Sequence, residues 1–165
     1  MKKIVVYQSG TGFTQKYANW IAKELGCEAK EYKKINPEEL ASFDMVIYGG
    51  WIFAGMVFGY DKIKPLNLEN LLVFGVGMSV PSEELLSKIA EQNGISKDCL
   101  FYFEGGYNPG KLGFFKKLIM NMIKKTIEKK EEKTPEDIHM LESFNGVDNT
   151  NKEAIKPLLE VVSKF

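Results

Sequence analysis

Short unbroken apolar runs alternate with segments of helical period along most of this chain. The first run, Lys3–Gln8, is rich in β-branched and aromatic residues, as is typical of a strand that is buried on both faces. It ends at a glycine-rich turn, Ser9–Gly12. After this turn, apolar residues recur at every fourth position: Phe13, Tyr17, Ile21 and Leu25. This spacing predicts an α-helix that begins directly after the turn and ends at Gly26.

Further runs of the same kind predict four more strands, at Cys27–Tyr32, Phe43–Tyr48, Leu71–Val76 and Leu100–Phe103. We expect the third strand of the chain to stop at the pair Gly49-Gly50. Residues 81–93 have a helical period and are followed by Gly94, a natural helix C-cap. Strands that alternate with helices predict βαβ units. The pattern therefore predicts a doubly wound α/β fold, in which helices cover both faces of a five-stranded parallel sheet.

The C-terminal helix has two predicted start points. Thr150 and Glu153 have the reciprocal spacing of a capping box, which favours a helix that begins beside them. Pro157 instead fits the first turn of a helix that begins one turn later. The sequence leaves both start points open.

Composition narrows the class of protein further. The 165 residues and 44% hydrophobic content predict a single domain, residues 1–165, that buries its own core. The 22 acidic and 22 basic residues balance, which argues against a general nucleic-acid binder. No apolar run approaches the length that spans a bilayer, and the N-terminus lacks the pattern of a signal peptide. We therefore expect a cytoplasmic protein.

Few residues are suited to metal binding or to nucleophilic catalysis. Cys27 and Cys99 are far apart in the sequence, and the one histidine, His139, has no nucleophile or second ligand nearby. We therefore predict no metal site and no catalytic triad. All 22 basic residues are lysine, so a bound anion must be held by lysine, hydroxyl groups or backbone N–H groups rather than by an arginine fork.

Three loops are expected to form a ligand site, because ligands of open α/β sheets bind beyond the carboxyl ends of the strands. They are residues 9–14, 49–56 and 77–81. The first loop combines three hydroxyl side chains and two glycines with the N-terminus of a helix, where free N–H groups attract anions. It predicts a phosphate site. A capped turn that binds no ligand is the alternative.

Two familiar phosphate motifs fit this loop poorly. It has no lysine at the Walker position, which argues against a nucleoside triphosphate. Gly10 and Gly12 fit a dinucleotide motif, with Glu31 near the position of its ribose-binding acid, but Gln15 stands where the third glycine belongs. Three hydroxyl groups suit a terminal monophosphate better than a pyrophosphate that lies along bare backbone.

The second loop, residues 49–56, is aromatic and glycine-rich where a polar loop is expected. Trp51 and Phe53 at the end of a strand predict a platform for a flat ring. The alternative is that both side chains fold back into the core. Taken with the first loop, the aromatic pair favours a planar phosphorylated cofactor.

These segments resemble the flavodoxin family. The resemblance lies in Ser9–Thr14 after the first strand and in Phe43–Gly50 with the aromatic loop that follows. It implies a sheet of order 2-1-3-4-5 and bound FMN, with the redox chemistry at the flavin N5 atom and no catalytic side chain. The cofactor-binding residues that it implies are Ser9, Gly10, Thr11, Gly12, Phe13, Thr14, Gly49, Gly50, Trp51, Ile52, Phe53, Ala54, Gly55, Gly77, Met78 and Ser79. Among them the resemblance assigns the phosphate to Ser9, Thr11, Gly12, Phe13 and Thr14. Residues 50–55 would flank the flavin ring, and Gly77, Met78 and Ser79 would form the third side of the site.

A second resemblance concerns the chain after the fifth strand. Phe103–Tyr107 followed by Leu112–Met120 is similar to the insertion of the menaquinone-dependent protoporphyrinogen IX dehydrogenases, a branch of flavodoxin-like proteins in haem synthesis. The similarity implies an oxidoreductase that oxidises protoporphyrinogen IX with a quinone acceptor. It favours such a flavin-dependent enzyme over a pure electron carrier that serves a redox partner protein. A non-catalytic domain of the same fold is a further alternative.

The insertion, at about residues 105–133, is basic and amphipathic. Residues 111–133 contain eight lysines and three glutamates, a net charge of +5. Apolar residues on a helix from Phe114 to Ile127 form a wide arc beside Lys117, Lys124 and Lys125. This pattern suits peripheral contact with the anionic inner face of a membrane, or binding of an apolar tetrapyrrole that carries carboxylates. An ordinary helix packed on the sheet is the alternative.

Overall fold

A computed structural model describes the whole chain, Met1–Phe165. Its main sheet contains the strands β1 (Lys3–Gln8), β2 (Glu28–Glu31), β3 (Met45–Phe53), β4 (Met56–Val57), β5 (Leu71–Gly77) and β6 (Leu100–Glu104). The five longer strands run parallel in the order β2-β1-β3-β5-β6, while the short β4 pairs antiparallel with β3. Counted along the chain, the longer strands have the expected order 2-1-3-4-5. The predicted doubly wound α/β fold is therefore confirmed.

Helices lie on both faces of this sheet: α1 (Phe13–Leu25), α2 (Tyr60–Ile63), α3 (Glu83–Asn93) and, near the C-terminus, α6 (Lys156–Val162). Alternate residues of a strand point to opposite faces. Accordingly, Val5 and Tyr7 of β1 pack with α1 and α6, whereas Ile4 and Val6 pack with α2 and α3. The sheet is thus buried between two apolar layers. No helix of the protein combines the length and apolar content that crossing a bilayer requires.

β3 continues through the two glycines at which the sequence predicts its end. A Cβ atom built on Gly49 would lie 2.0 Å from Cζ of Phe74, and one built on Gly50 would lie 2.5 Å from the carbonyl oxygen of Phe58. The prediction that the strand stops at Gly49-Gly50 was wrong. The strand continues through both glycines. Glycine is needed at these positions because neighbouring groups fill the space that a side chain would occupy.

The aromatic loop of residues 49–56 is a β-hairpin. After Phe53 the chain turns at Ala54 and Gly55, whose φ angles are 50° and 80°. It then returns as β4, with Ile52 opposite Val57 and Phe53 opposite Met56. A two-residue turn with positive φ at both positions matches the twist of the paired strands. The hairpin therefore presents its aromatic side chains from a defined strand rather than from an irregular loop.

The insertion after β6 forms a separate layer at the carboxyl edge of the sheet. It contains β7 (Gly106–Tyr107), α4 (Phe114–Glu128), α5 (Pro135–Ser143) and β8 (Val147–Asp148), and β7 and β8 pair antiparallel. Its two ends meet at α1. The Tyr17 hydroxyl donates to the Glu104 carbonyl at 2.6 Å and accepts from the Asn151 N–H at 3.0 Å. The Asn149 N–H also donates to the Gly105 carbonyl, at 2.8 Å.

The sequence pattern did not predict α5, although a capping box begins it. Thr134 Oγ1 accepts from the Asp137 N–H at 3.2 Å, and the Asp137 carboxylate accepts from the Thr134 N–H at 3.0 Å. Lys130 donates to both oxygens of Asp137, at 2.7 and 2.9 Å, and these bonds lower the pKa of Asp137 below its ordinary value. The end of α4 is thereby joined to the start of α5.

At the C-terminus, the later of the two predicted start points is correct. α6 begins at Lys156 with Pro157 in its first turn, after a short 3₁₀ turn over Lys152–Ile155. The capping box expected for Thr150 and Glu153 does not form. The Asn151 side chain caps the turn instead, accepting from the Glu153 N–H at 3.0 Å. Asn151 therefore takes the role that the spacing assigned to Thr150.

Candidate functional site

The loop between β1 and α1 leaves backbone donors free at the start of the helix. Gly12 is the N-cap residue, with a φ of 105° that favours glycine, and no side chain caps the first turn of α1. The N–H groups of a first helical turn have no partners within the helix. Ser9 Oγ accepts from the Gly12 N–H at 3.0 Å, which shapes the loop. The remaining N–H donors and the positive end of the helix dipole are suited to binding an anion.

Thr14 adds a hydroxyl group to the cavity wall at this loop. The residue is 1% exposed and lines a cavity, and its hydroxyl has no hydrogen-bond partner in the protein. Because every fully enclosed side-chain polar atom of the protein has a partner, this hydroxyl opens onto the cavity. A hydroxyl group on a cavity wall can donate a hydrogen bond to a ligand oxygen or accept one from a ligand donor. Thr14 therefore points to a polar ligand at this loop.

Trp51 and Phe53 line the same cavity, on the side formed by the β3–β4 hairpin. The Trp51 ring stacks on Phe58 with 4.4 Å between ring centroids, and Lys116 Nζ lies 4.5 Å from its centroid. Phe53 is 44% exposed. Neither aromatic side chain belongs to the two buried core clusters, and their role as a platform for a flat ring stays a prediction.

The third side of the cavity is formed by Gly77 and Met78, at the end of β5. Ser79 does not line it, although its carbonyl accepts a 2.9 Å hydrogen bond from the Tyr102 hydroxyl. Burial raises the pKa of Tyr102, which keeps the phenol protonated as a donor. This hydrogen bond helps to position the loop of residues 77–81, and neither of its two partners lines the cavity.

The cavity has a volume of about 250 Å³ and lies beyond the carboxyl ends of β1, β3 and β5. Ligand pockets usually measure about 300–1,000 Å³, so a cofactor here would remain partly exposed. Ten of the residues implied by the flavodoxin resemblance line it: Ser9, Gly10, Thr11, Phe13, Thr14, Trp51, Ile52, Phe53, Gly77 and Met78. The structure thus brings all three predicted loops together at one site.

Six of the residues implied by the resemblance lie outside the cavity lining: Gly12, Gly49, Gly50, Ala54, Gly55 and Ser79. Gly49 and Gly50 are buried under neighbouring groups, as described above. Ala54 and Gly55 form the hairpin turn, and the Gly55 carbonyl accepts from Asn93 of α3 at 2.9 Å. These residues therefore shape the walls of the site, and their contact with a cofactor stays a prediction.

The sequence pattern missed a further set of lining residues, most of which come from the insertion: Val76, Gly106, Tyr107, Asn108, Leu112, Lys116, Ile119 and Met120. The insertion lies against the cavity, and α4 contributes three of these side chains, of which Lys116 lies over the Trp51 ring of the hairpin. Its lysine-rich pattern was visible in the sequence. Its position beside the loop of residues 9–14 depends on the tertiary path of the chain, which the pattern does not specify.

Two other titratable residues considered above lie away from the cavity lining. His139 Nε2 is 2.8 Å from Glu104 Oε1, which also accepts from Asn149 Nδ2 at 2.7 Å. This cluster holds the insertion to the end of β6. Glu31 pairs with Lys33 at 3.0 Å and with Lys34 at 3.9 Å. Its contact with a ribose stays untested, and it does not line the cavity.

The fold and the cavity together define a doubly wound α/β protein with a cavity at the carboxyl edge of its sheet, where ligands of such sheets bind. The family model described as Flavodoxin domain matches residues 4–134. The chain therefore belongs to the flavodoxin domain family. No curated protein sequence matches the chain.

The solved structures similar to this chain include three flavodoxins. One from the domain Archaea is 18% identical, with a TM-score of 0.45, and the alignment covers 76% of this chain and 98% of that one. Oxidised flavodoxin 2 from Bacillus cereus is 22% identical, with a TM-score of 0.44 and coverage of 63% and 84%. Two-electron reduced flavodoxin from Megasphaera elsdenii is 17% identical, with a TM-score of 0.45 and coverage of 86% and 96%.

Proposed function

We propose that this protein binds FMN and acts as a flavin-dependent redox protein. The observation that carries the proposal is that one cavity brings together the free N–H donors and the Thr14 hydroxyl of the first loop with Trp51 and Phe53 of the hairpin. The loop would hold the phosphate, and the hairpin would cover part of the ring. FMN supplies reversible electron transfer through its isoalloxazine ring, while the protein positions the ring and excludes water from one side.

The test is the visible absorption spectrum of the purified protein, with the released chromophore identified by chromatography. The protein stripped of cofactor is then titrated with FMN, with riboflavin and with NAD. We expect a yellow protein that releases FMN and binds FMN more tightly than riboflavin. Binding of NAD alone, or of no flavin at all, would overturn the proposal.

Trp51→Ala is expected to weaken FMN binding by about tenfold, because aromatic stacking contributes about 0.5–1.5 kcal/mol beyond the buried area. The measurement is a titration followed by quenching of flavin fluorescence. Phe114→Ala is the matched control, since Phe114 is 77% exposed and does not line the cavity. Equal affinities for the parent protein and Trp51→Ala would show that the indole is not part of the flavin site.

We further propose that the redox function is that of an enzyme, which oxidises protoporphyrinogen IX and passes the electrons and protons to a quinone. The supporting observation is the outer face of α4, where five large apolar side chains are exposed: Phe114, Phe115, Leu118, Ile119 and Met122. Ile119 also lines the cavity, so this face extends to its rim. An apolar surface with lysines beside it suits an apolar tetrapyrrole that carries carboxylates.

Turnover separates this enzyme from an electron carrier. The FMN-loaded protein is incubated with protoporphyrinogen IX and a quinone, and formation of fluorescent protoporphyrin is followed without oxygen. We expect quinone-dependent formation above a control that contains free FMN. Absence of turnover, together with reduction of the bound flavin by a reductase, would instead assign the role of electron carrier.

The same helix face is proposed to contact the anionic inner surface of the membrane, where quinones are dissolved. Changing Lys117, Lys124 and Lys125 together to glutamine is expected to abolish sedimentation with phosphatidylglycerol vesicles. The control changes Lys23, Lys88 and Lys97 to glutamine, which removes the same charge elsewhere on the surface. Failure of the parent protein to bind these vesicles would rule out the membrane contact.

A further inference from the structure

Two ammonium groups of the insertion lie beside the glycines of the first loop. A Cβ atom built on Gly10 would lie 3.6 Å from Lys116 Nζ, and one built on Gly12 would lie 3.8 Å from Lys111 Nζ. Lys111 lies in the short turn before α4, and Lys116 lies in the first turn of α4. The chain thus brings two positive charges from more than ninety positions downstream to the loop at the start of α1.

Neither of these lysines is neutralised by a carboxylate. The ion pairs of the protein involve other lysines, including Lys16 of α1, which pairs with Asp148 at 2.7 Å. The first turn of α1 contains no acidic residue either. The positive charge at this loop is therefore uncompensated within the protein, and it adds to the positive end of the helix dipole.

Lys116 occupies a defined position within the cavity. Its Nζ lies 4.5 Å from the centroid of the Trp51 ring, and Nε1 of the same indole lies 3.9 Å from the Cβ atom built on Gly10. The cation–π contact directs the flexible lysine side chain toward the loop. Lys116 Nζ thus lies between the aromatic wall of the cavity and the loop at the start of α1, and Thr14 lines the same cavity.

We propose that Lys111 and Lys116 bind the phosphate monoester of the cofactor and make the site selective for phosphorylated flavin over riboflavin. This inference rests on the proposed function. A phosphate monoester carries a charge between −1 and −2 near neutral pH, and an ammonium group is a strong point-charge partner for it. In a chain without arginine, these two lysines are the cations that the fold places at the loop.

The proposal has a structural consequence for the insertion. Lys116 projects from α4, so an anion bound at the loop joins α4 to α1 across the mouth of the cavity. Outside the insertion, α4 has few packing partners, and most of its apolar side chains are exposed. Phosphate binding therefore stabilises the position of α4 over the cofactor.

The test compares two double variants that remove the same charge. Lys111 and Lys116 are changed to glutamine in one, and Lys88 and Lys97 in the other, because the latter pair is exposed, lies outside the insertion and does not line the cavity. Both proteins, stripped of cofactor, are titrated with FMN and with riboflavin at low and high ionic strength. Circular dichroism verifies that each variant is folded.

We expect the Lys111/Lys116 variant to bind FMN about tenfold more weakly than the parent at low ionic strength. It should bind riboflavin equally well and lose most of the salt dependence of FMN binding. The Lys88/Lys97 variant should bind both flavins like the parent protein. Equal FMN affinities of the two double variants would overturn the lysine assignment while leaving FMN binding intact. A parent protein that binds neither flavin would overturn the proposed function itself.

Discussion

Gly49→Ala is expected to lower the free energy of unfolding by about 3 kcal/mol, near the upper end of what overpacking a core costs. The new Cβ atom would lie 2.0 Å from Cζ of Phe74 and within 2.6 Å of both adjacent ring carbons. Phe74 is fully buried and belongs to the strand paired with Gly49, so its ring cannot move aside without displacing its neighbours. The smaller entropy of the unfolded alanine chain offsets only about 0.4–1 kcal/mol.

Urea unfolding followed by far-ultraviolet circular dichroism measures this effect. Gly113→Ala is the control, because Gly113 has a φ of −66° and a Cβ atom there meets no atom within 4 Å. The control should unfold at the urea concentration of the parent protein or slightly above it. If Gly49→Ala unfolded at the same midpoint as the control, the ring of Phe74 would not occupy this space in solution.

Thr14→Val is expected to weaken FMN binding by about 1–3 kcal/mol, or roughly 5- to 150-fold in Kd. Valine has nearly the shape of threonine, so the substitution removes the hydroxyl from a residue that is 1% exposed without opening a cavity. A phosphate oxygen that loses this donor in a buried position is not readily resolvated. The change should therefore act on phosphorylated ligands in particular.

The measurement is a fluorescence titration of the stripped protein with FMN and with riboflavin. Thr14→Ser, which keeps the hydroxyl, should retain most of the affinity for FMN, and riboflavin binding should change little in either variant. An FMN affinity of Thr14→Val equal to that of the parent protein would place the phosphate elsewhere in the molecule.

The local parts of this fold could be predicted from sequence because short-range rules determine them. The run Lys3–Gln8, the turn after it and the four-residue period of α1 agree with one another, and the structure places β1 and α1 at those bounds. Glycine C-caps at Gly26 and Gly94 were likewise predicted and end α1 and α3. The edge of the sheet where the loops meet follows from the parallel topology alone.

The predictions from sequence were wrong where tertiary contacts override a local rule. Glycine usually marks the end of a strand. At position 49, however, the strand continues, and glycine is needed because the ring of Phe74 on the next strand fills the space of a side chain. The local sequence does not reveal this contact. The capping box was assigned to Thr150, whereas the one that forms lies at Thr134 and Asp137. The sequence carries the capping-box pattern at Thr134 and Asp137 as well, and Pro135 directly after the cap favours a helix start at this place over one at Thr150.

Site residues that lie together in one segment were predicted from the sequence. Site residues that depend on contact between two distant segments were missed. Ser9–Thr14 contains its own glycines and hydroxyl groups, so its character can be inferred directly. Lys111 and Lys116 acquire a role only through the path of α4 across the cavity. The absence of arginine was the available signal, because it requires that any cation near an anion be a lysine.

The hydroxyl of Tyr17 joins the Glu104 carbonyl to the Asn151 N–H, so the long excursion between these residues leaves and rejoins the body of the protein at a single point. Because the two ends of this segment lie side by side, a change in its length costs little loop-closure entropy. The sheet and its helices therefore form a frame on which excursions of different size and surface could be exchanged during evolution. Protein engineers could use the same junction to graft a new binding surface beside the cavity.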